Sequence, residues 1–107
     1  MKTEYQKCMD GEFFTADSEM LQIVYRCKRL VRSLNGTDME NISERKKIIG
    51  ELFGSVGNNV HIDIDFHCEY GINIHCGSDV IINMNCTFVD NNRINIGNNV
   101  LIVENPV

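Results

Sequence analysis

The sequence lacks the features that usually place a protein in a membrane, in the secretory pathway or on a nucleic acid. No apolar run approaches the roughly 18 residues that suggest a transmembrane helix. Residues 1–6 contain no apolar core, which argues against a secretory signal peptide. A formal charge of −5 and the absence of a lysine and arginine cluster argue against nucleic acid or anionic membrane as a partner. We therefore expect a cytoplasmic protein with neither kind of partner.

Paired cysteines are missing as well. The chain has five cysteines, an odd number with no C-x-x-C pair: Cys8, Cys27, Cys68, Cys76 and Cys86. We expect them to be reduced thiols, several of which serve as small core residues. Cys68, His75 and Cys76 are residue types that bind zinc, but their spacing fits no usual zinc frame. We therefore predict no metal site.

The second half of the chain, residues 56–102, has a six-residue period. Its copies begin with an aliphatic residue or cysteine and have mostly polar third and fourth positions; they are Val56–His61, Ile62–His67, Cys76–Ile81, Ile82–Thr87 and Ile96–Leu101. A short period of this kind predicts a solenoid, in which each short strand stacks on the equivalent strand of the next coil. Residues 68–71 and 90–93 interrupt the period, and such insertions often form loops on the binding face.

The first half of the chain predicts three helices, over residues 3–10, 19–34 and 43–53. Asp17 is a favourable residue type for the N-cap of the second helix. The stripe predicted for that helix consists of Leu21, Val24, Tyr25, Lys28, Val31 and Leu34, with Cys27 and Leu30 beside it. The short basic run at residues 45–47 is predicted to lie on the solvated face of the third helix.

Together these patterns resemble the hexapeptide-repeat acyltransferases, especially the maltose and galactoside O-acetyltransferase group. The matching segments are Leu52–Gly57, Tyr70–His75, Asn83–Cys86 and Ile96–Val100. The resemblance runs almost from Tyr5 to Ile102. It implies an α+β fold, with a helical segment over residues 1–54 and a short left-handed parallel β-helix over residues 55–107. That β-helix is expected to be truncated at about three coils.

The resemblance also implies a chemistry. In the family, acetyl-CoA donates an acetyl group to a sugar hydroxyl, and a histidine acts as the general base. That histidine and most of the acetyl-CoA channel follow the point at which this chain ends. We therefore expect a chain that is inactive alone. The alternatives are a non-catalytic binding or assembly module and a truncated remnant of such an enzyme. The expected partners are a sugar acceptor and either further copies in a homotrimer or a longer homologue.

Four residues correspond by resemblance to the acceptor side of the family's active site: Asp17, Glu69, Asn83 and Asn91. Asn83 matches an asparagine that lines that site, although it fits a solenoid corner equally well. Asn91 stands where galactoside-type members have an aspartate that contacts the sugar. Glu69 falls where the family varies between serine and aspartate. Asp17 is one residue out of register with a family aspartate near the first turn, and capping of the second helix is the favoured interpretation.

No catalytic residue is assigned. His75 matches a family position away from the catalytic loop and is interpreted as structural. His61 and His67 end their hexapeptides, where side chains tend to face solvent, and neither has an acidic partner at a useful spacing. Asp90 stands at a position where the family also has a carboxylate. The alternative interpretation is that Asp90 only stabilises its own turn.

Overall fold

The computed structural model describes residues 1–103, which form three helices followed by eight short strands. The helices are α1 (Glu4–Met9), α2 (Ser18–Gly36) and α3 (Ile42–Leu52). The strands are β1 (Ser55–Val56), β2 (Val60–Ile62), β3 (Phe66–Cys68), β4 (Ile74–Cys76), β5 (Val80–Ile82), β6 (Cys86–Phe88), β7 (Ile94–Ile96) and β8 (Val100–Ile102). The three predicted helices are confirmed to within two residues at each end. The expected end of the β-helix, residues 104–107, lies outside the described residues.

The strands stack in parallel to form a solenoid, as the six-residue period predicts. Val60 pairs with Val80, and Val80 pairs with Val100, so one coil takes 20 residues. Three sheets result, with strand orders β1-β4-β7, β2-β5-β8 and β3-β6. From Val60 to Phe66 is six residues, from Phe66 to Ile74 is eight, and from Ile74 to Val80 is six. The apparent interruptions are therefore one longer corner, repeated in each coil.

The tighter corners need residues that tolerate unusual backbone geometry. Asn59 and Asp79 have φ of 59°, and Asn99 has φ of 58°. These three residues stand 20 apart, so the left-handed conformation recurs at one corner of successive coils. Asparagine and aspartate adopt it more readily than other residues with a Cβ. At a neighbouring position, a Cβ on Gly77 would lie 2.8 Å from the carbonyl oxygen of Gly97, so only glycine fits there.

The core lies inside the coils and beneath α2 and α3. Its inward side chains include Phe66, Ile62, Ile74 and Ile82, all fully buried. Leu34 of α2 and Leu52 of α3 belong to the same cluster. Because each coil buries its apolar face only against a neighbour, the first coil would be uncovered without these helices. The helical segment thus caps one end of the solenoid.

The buried face of α2 differs in part from the predicted stripe. Val31 and Leu34 are buried as predicted, but Leu21, Tyr25 and Lys28 are exposed. The full set of buried positions is Met20, Cys27, Val31 and Leu34. Their spacing of seven, four and three residues follows one helix face, and Leu21 and Tyr25 each lie one position beyond it.

Arg45 also differs from the prediction, because its side chain is only 5% exposed. Its guanidinium donates hydrogen bonds to the carbonyls of Leu34 (2.6 Å), Thr37 (2.7 Å) and Ile62 (2.6 Å). The last carbonyls of a helix have no partner within the helix, and α2 ends beside this side chain. Arg45 therefore ties the end of α2 to β2, whereas Lys46 and Lys47 are exposed as predicted.

Asn35 makes a similar connection between α2 and β3. Its side-chain amide donates to the carbonyl of Phe66 at 2.9 Å and accepts from the N–H of the same residue at 2.9 Å. A strand at the edge of a sheet presents unpaired backbone groups. Asn35 satisfies two of them on the outer edge of the first coil.

All five cysteines are buried, as expected of small core residues, and none of them forms a disulfide within residues 1–103. Within residues 1–103, no cluster of three histidine, cysteine or acidic side chains could hold a metal ion. None of the helices in this range is long and apolar enough to cross a membrane.

Candidate acceptor site

The longer corners of two successive coils are joined by one buried carboxylate. Asp90, which is 0% exposed, follows β6. Its Oδ1 accepts hydrogen bonds from the backbone N–H groups of Glu69 (3.0 Å) and Tyr70 (2.8 Å), which follow β3 in the preceding coil. Asn91 is the next residue after Asp90. Asp90 therefore serves more than its own turn, because it fixes the Glu69 corner against the corner that carries Asn91.

Helix α1 attaches to the same corners through side chains. The carbonyl of Asp90 accepts from Asn73 Nδ2 at 2.8 Å, and Asn73 Oδ1 accepts from the Tyr5 hydroxyl at 2.6 Å. Asn92 Nδ2 donates to the carbonyl of Met9 at 2.7 Å. Because buried polar groups usually have hydrogen-bond partners, these contacts explain how Asn73 can be buried in this position. They also hold α1 in place beside the acceptor corners.

One oxygen at this corner remains unsatisfied. Asp90 Oδ2 is buried and has no hydrogen-bond partner among the described residues. Burial raises the pKa of Tyr5, and the charge of Asp90 adds to this effect, whereas the hydrogen bond with Asn73 opposes it. Burial, with a smaller effect from Cys8, raises the pKa of Tyr70 to about 12. Both phenols are therefore neutral at physiological pH.

The Glu69 side chain is partly exposed and is paired with α2. Its carboxylate lies 3.3 Å from Lys28 Nζ, which also donates to the carbonyl of Cys68 at 2.9 Å. The backbone of Glu69 is held by Asp90 and its side chain by Lys28. A partly exposed ion pair of this kind contributes little to stability, so its main effect is on the direction of the carboxylate.

The other two predicted acceptor residues lie elsewhere in the fold. Asn83 follows β5 at a different corner, and its backbone N–H donates to the carbonyl of Ile102 at 2.9 Å. Asp17 caps α2, because its Oδ1 accepts from the N–H of Met20 at 3.1 Å. The capping interpretation is therefore confirmed. Among residues 1–103, the hydrogen bonds of Asp90 join the Glu69 corner to the turn that carries Asn91. Within the same range, no such bond joins Asn83 or Asp17 to that corner.

The three histidines have structural or solvent-facing positions. His75 Nδ1 lies 2.8 Å from Ser55 Oγ, and His61 Nε2 lies 3.0 Å from Asn59 Oδ1. His61 and His67 are exposed, as predicted. In the described part of the chain, none of the three contacts a carboxylate, the partner that commonly orients a histidine base.

Tyr5 and Asn73 are part of this corner but were not identified from the sequence as polar partners. Tyr5 fits the apolar side of α1, and Asn73 belongs to the Tyr70–His75 motif. The two residues are 68 positions apart, so no local spacing predicts their hydrogen bond. The one available signal is an asparagine directly before an inward-facing isoleucine, Ile74.

Comparison with known proteins identifies the architecture around these corners. The maltose acetyltransferase hexapeptide capping motif matches residues 7–57. A maltose O-acetyltransferase structure from Clostridium difficile 630 is 36% identical, with a TM-score of 0.90, over 94% of this chain and 54% of that chain. The chain belongs to the hexapeptide-repeat sugar O-acetyltransferase family and matches its N-terminal portion. Its solenoid is accordingly a left-handed parallel β-helix.

Two further members of the family extend the comparison. Galactoside O-acetyltransferase of Escherichia coli K12 is 35% identical over 96 residues, which is 89% of this chain and 47% of that protein. A hexapeptide-repeat acetyltransferase from Vibrio cholerae O1 biovar eltor, solved in complex with acetyl coenzyme A, is 34% identical with a TM-score of 0.80. That match covers 94% of this chain and 55% of the solved chain. Acetyl-CoA is the family's cofactor, and the chain spans about half the length of these relatives.

The described β-helix does not fit acetyl-CoA. Phosphate groups are usually held by lysine, arginine or converging N–H donors. Within residues 55–103, Arg93 is the one lysine or arginine, and its Nε already donates to Asn95 Oδ1 at 3.0 Å. The same range contains five carboxylates, on Asp63, Asp65, Glu69, Asp79 and Asp90. These residues therefore supply no step that involves the coenzyme.

Proposed function

We propose that the chain forms the acceptor-binding part of an acetyl-CoA-dependent sugar O-acetyltransferase. The observation that carries the proposal is the corner at which Asp90 holds Glu69 against the Asn91 turn, in a chain similar to maltose and galactoside acetyltransferases. A carboxylate accepts hydrogen bonds, and a primary amide both donates and accepts them. This combination suits the hydroxyls of a sugar.

The hydrogen bonds around the corner favour a preorganised acceptor site. Glu69 is held at its backbone by Asp90 and at its carboxylate by Lys28. Groups that are already fixed lose less conformational freedom when a ligand binds, so more of the interaction appears as affinity. Asn83 and Asp17 are proposed as further acceptor residues by resemblance alone, since both lie away from this corner. We expect Asn83 to contribute more, because Asp17 is committed to its cap.

The proposed assembly is a homotrimer, supported by an exposed apolar ladder on the β2-β5-β8 sheet. Ile81 and Leu101 pair in register and point outward, with 47% and 62% of their surfaces exposed. Contiguous exposed apolar side chains often mark a protein interface. Further copies of the chain, or a longer homologue, would cover this ladder. The five buried cysteines form no disulfide within residues 1–103, and this supports a cytoplasmic location, where thiols stay reduced.

Calorimetric titration of the purified 107-residue chain with maltose, glucose and a galactoside tests the proposal. We expect at least one sugar to bind, and Glu69→Gln to weaken its binding about tenfold, because the hydrogen-bond acceptor loses its charge. Asp65→Asn is the matched control, since Asp65 is an exposed carboxylate at another corner of the first coil. Equal losses in both variants, or no sugar binding at all, would refute the assignment.

The second candidate is a non-catalytic assembly module, which the same exposed ladder favours. This function requires association but no sugar. If ultracentrifugation shows a trimer that Leu101→Lys dissociates, while no sugar binds, the assembly module replaces the acceptor-binding proposal.

A further inference from the structure

A cavity of about 490 Å³ lies between α3 and the first coil of the β-helix. Its apolar lining includes Met39, Ile42, Ile49 and Val60. The volume falls within the range of about 300–1,000 Å³ that is typical of small-molecule sites. None of the four candidate acceptor residues lines it, so a ligand bound in this cavity would be independent of the proposed function.

The charged side chains that line this cavity are all cationic. Arg45 and Lys46 lie in the wall, which contains no aspartate or glutamate, although the chain as a whole carries a formal charge of −5. The remaining polar groups of the wall are neutral or already paired, as in the contact of His61 with Asn59. The cavity therefore offers an apolar surface with positive charge on one side.

Arg45 adds a second, independent feature that points to an anion. It is 95% buried, and no described carboxylate forms an ion pair with it. A guanidinium has five N–H donors, and three of those of Arg45 bond to backbone carbonyls. Burial lowers the pKa of Arg45 while the charge of Asp63 raises it, but arginine stays protonated in proteins. The charge of Asp63 acts on Arg45 without an ion pair between them, so an anion bound at hydrogen-bond distance would compensate the buried charge further.

We propose that this cavity binds a small aliphatic monocarboxylate. The carboxylate would lie at Arg45 and Lys46, because a guanidinium matches the planar geometry of a carboxylate. The hydrocarbon chain would lie against Ile42, Ile49 and Met39. The apolar part of the wall favours a ligand with an apolar body. The two cations, which form no ion pair among the described residues, favour a negative head.

A series of ligands of increasing length tests both requirements. The 107-residue chain is titrated with acetate, butyrate, hexanoate and octanoate, and with 1-octanol as the neutral match for octanoate. Binding is followed by chemical-shift changes in the cavity residues. We expect affinity to rise about fourfold for each buried methylene, and octanol to bind at least tenfold more weakly than octanoate. Equal affinity of octanol and octanoate, equal affinity of acetate and octanoate, or no binding would overturn the proposal.

Three variants test whether octanoate binds in the cavity or elsewhere on the surface. A Cβ on Gly50, which lines the cavity within α3, meets nothing within 4 Å, so a larger side chain at this position begins in open space, and Gly50→Leu is the variant designed to fill the cavity. We expect it to reduce octanoate affinity more than tenfold. Lys46→Gln should reduce affinity about fivefold, and Lys47→Gln, an exposed neighbour that does not line the cavity, should leave it unchanged. Full affinity in Gly50→Leu, or equal losses in the two lysine variants, would refute the site.

Discussion

Replacement of Arg45 by methionine is the perturbation with the clearest structural expectation. Methionine keeps a long apolar side chain but removes every N–H donor. The carbonyls of Thr37 and Ile62 would lose hydrogen bonds of 2.7 Å and 2.6 Å to a cation. The carbonyl of Leu34 would keep only the N–H of Thr37, at 3.4 Å. The contact between the end of α2 and the first coil would therefore be weakened.

The magnitude follows from two opposing effects. Hydrogen bonds to charged groups contribute about 1.5–3 kcal/mol each, so three of them set an upper bound of about 9 kcal/mol. Removal of a buried guanidinium also removes its desolvation penalty, which amounts to several kcal/mol. We expect Arg45→Met to lower the free energy of unfolding by about 3 kcal/mol. That loss is a large part of the stability of a small domain, about 5–15 kcal/mol.

Urea unfolding followed by circular dichroism measures this loss. Lys47→Met is the control, because Lys47 is exposed on the same helix, and it should change the free energy of unfolding by no more than about 0.5 kcal/mol. A loss below about 1 kcal/mol in Arg45→Met, or one equal to the control, would show that the guanidinium does not hold α2 to the solenoid.

Three further predictions concern the solenoid and its helical cap. Asn35→Ala removes both hydrogen bonds to Phe66 and should cost about 1–2 kcal/mol in the same urea assay, whereas a neutral result would mean that water replaces the amide. Gly77→Ala places a Cβ against the next coil and should lower the free energy of unfolding by about 1–3 kcal/mol. Gly97→Ala is the control and should be nearly neutral, because a Cβ there meets nothing within 4 Å. A larger loss in Gly97→Ala than in Gly77→Ala would contradict the stacking. Tyr70, whose pKa is raised to about 12, retains its proton in the folded state at a pH where the unfolded chain loses it, so stability should fall as pH rises from about 10 to 12. Tyr70→Phe should show a smaller fall in stability over this range. The same pH dependence in both proteins would refute the assignment to Tyr70.

The parts of the fold that depend on local sequence could be predicted. The six-residue period predicts the stacked strands, because each copy provides its own inward residues and its own corner. The same logic locates the three helices. The period did not reveal that one corner of every coil is two residues longer, since residues 68–71 and 90–93 look like separate insertions. Pairing of Val60 with Val80 and Val100 shows that they are equivalent.

The parts that depend on contacts between distant residues could not be predicted. Arg45 follows an exposed glutamate and precedes two exposed lysines, and nothing in that run indicates that it is buried against α2 and β2. The hydrogen bond between Tyr5 and Asn73 joins residues 68 positions apart. The candidate acceptor residues come from resemblance, and the structure adds the physical connection that resemblance does not supply, namely Asp90 between Glu69 and Asn91.

The most direct measurement of the central claim is the site at which a sugar contacts the chain. In a 15N-labelled sample of the 107-residue chain, titration with maltose or a galactoside should shift the backbone signals of Glu69 and Tyr70 and the side-chain amide of Asn91. Signals of α3, such as Lys47, should stay unchanged. Shifts confined to other surfaces, or no shifts at sugar concentrations that bind by calorimetry, would contradict an acceptor site at the Asp90 corner.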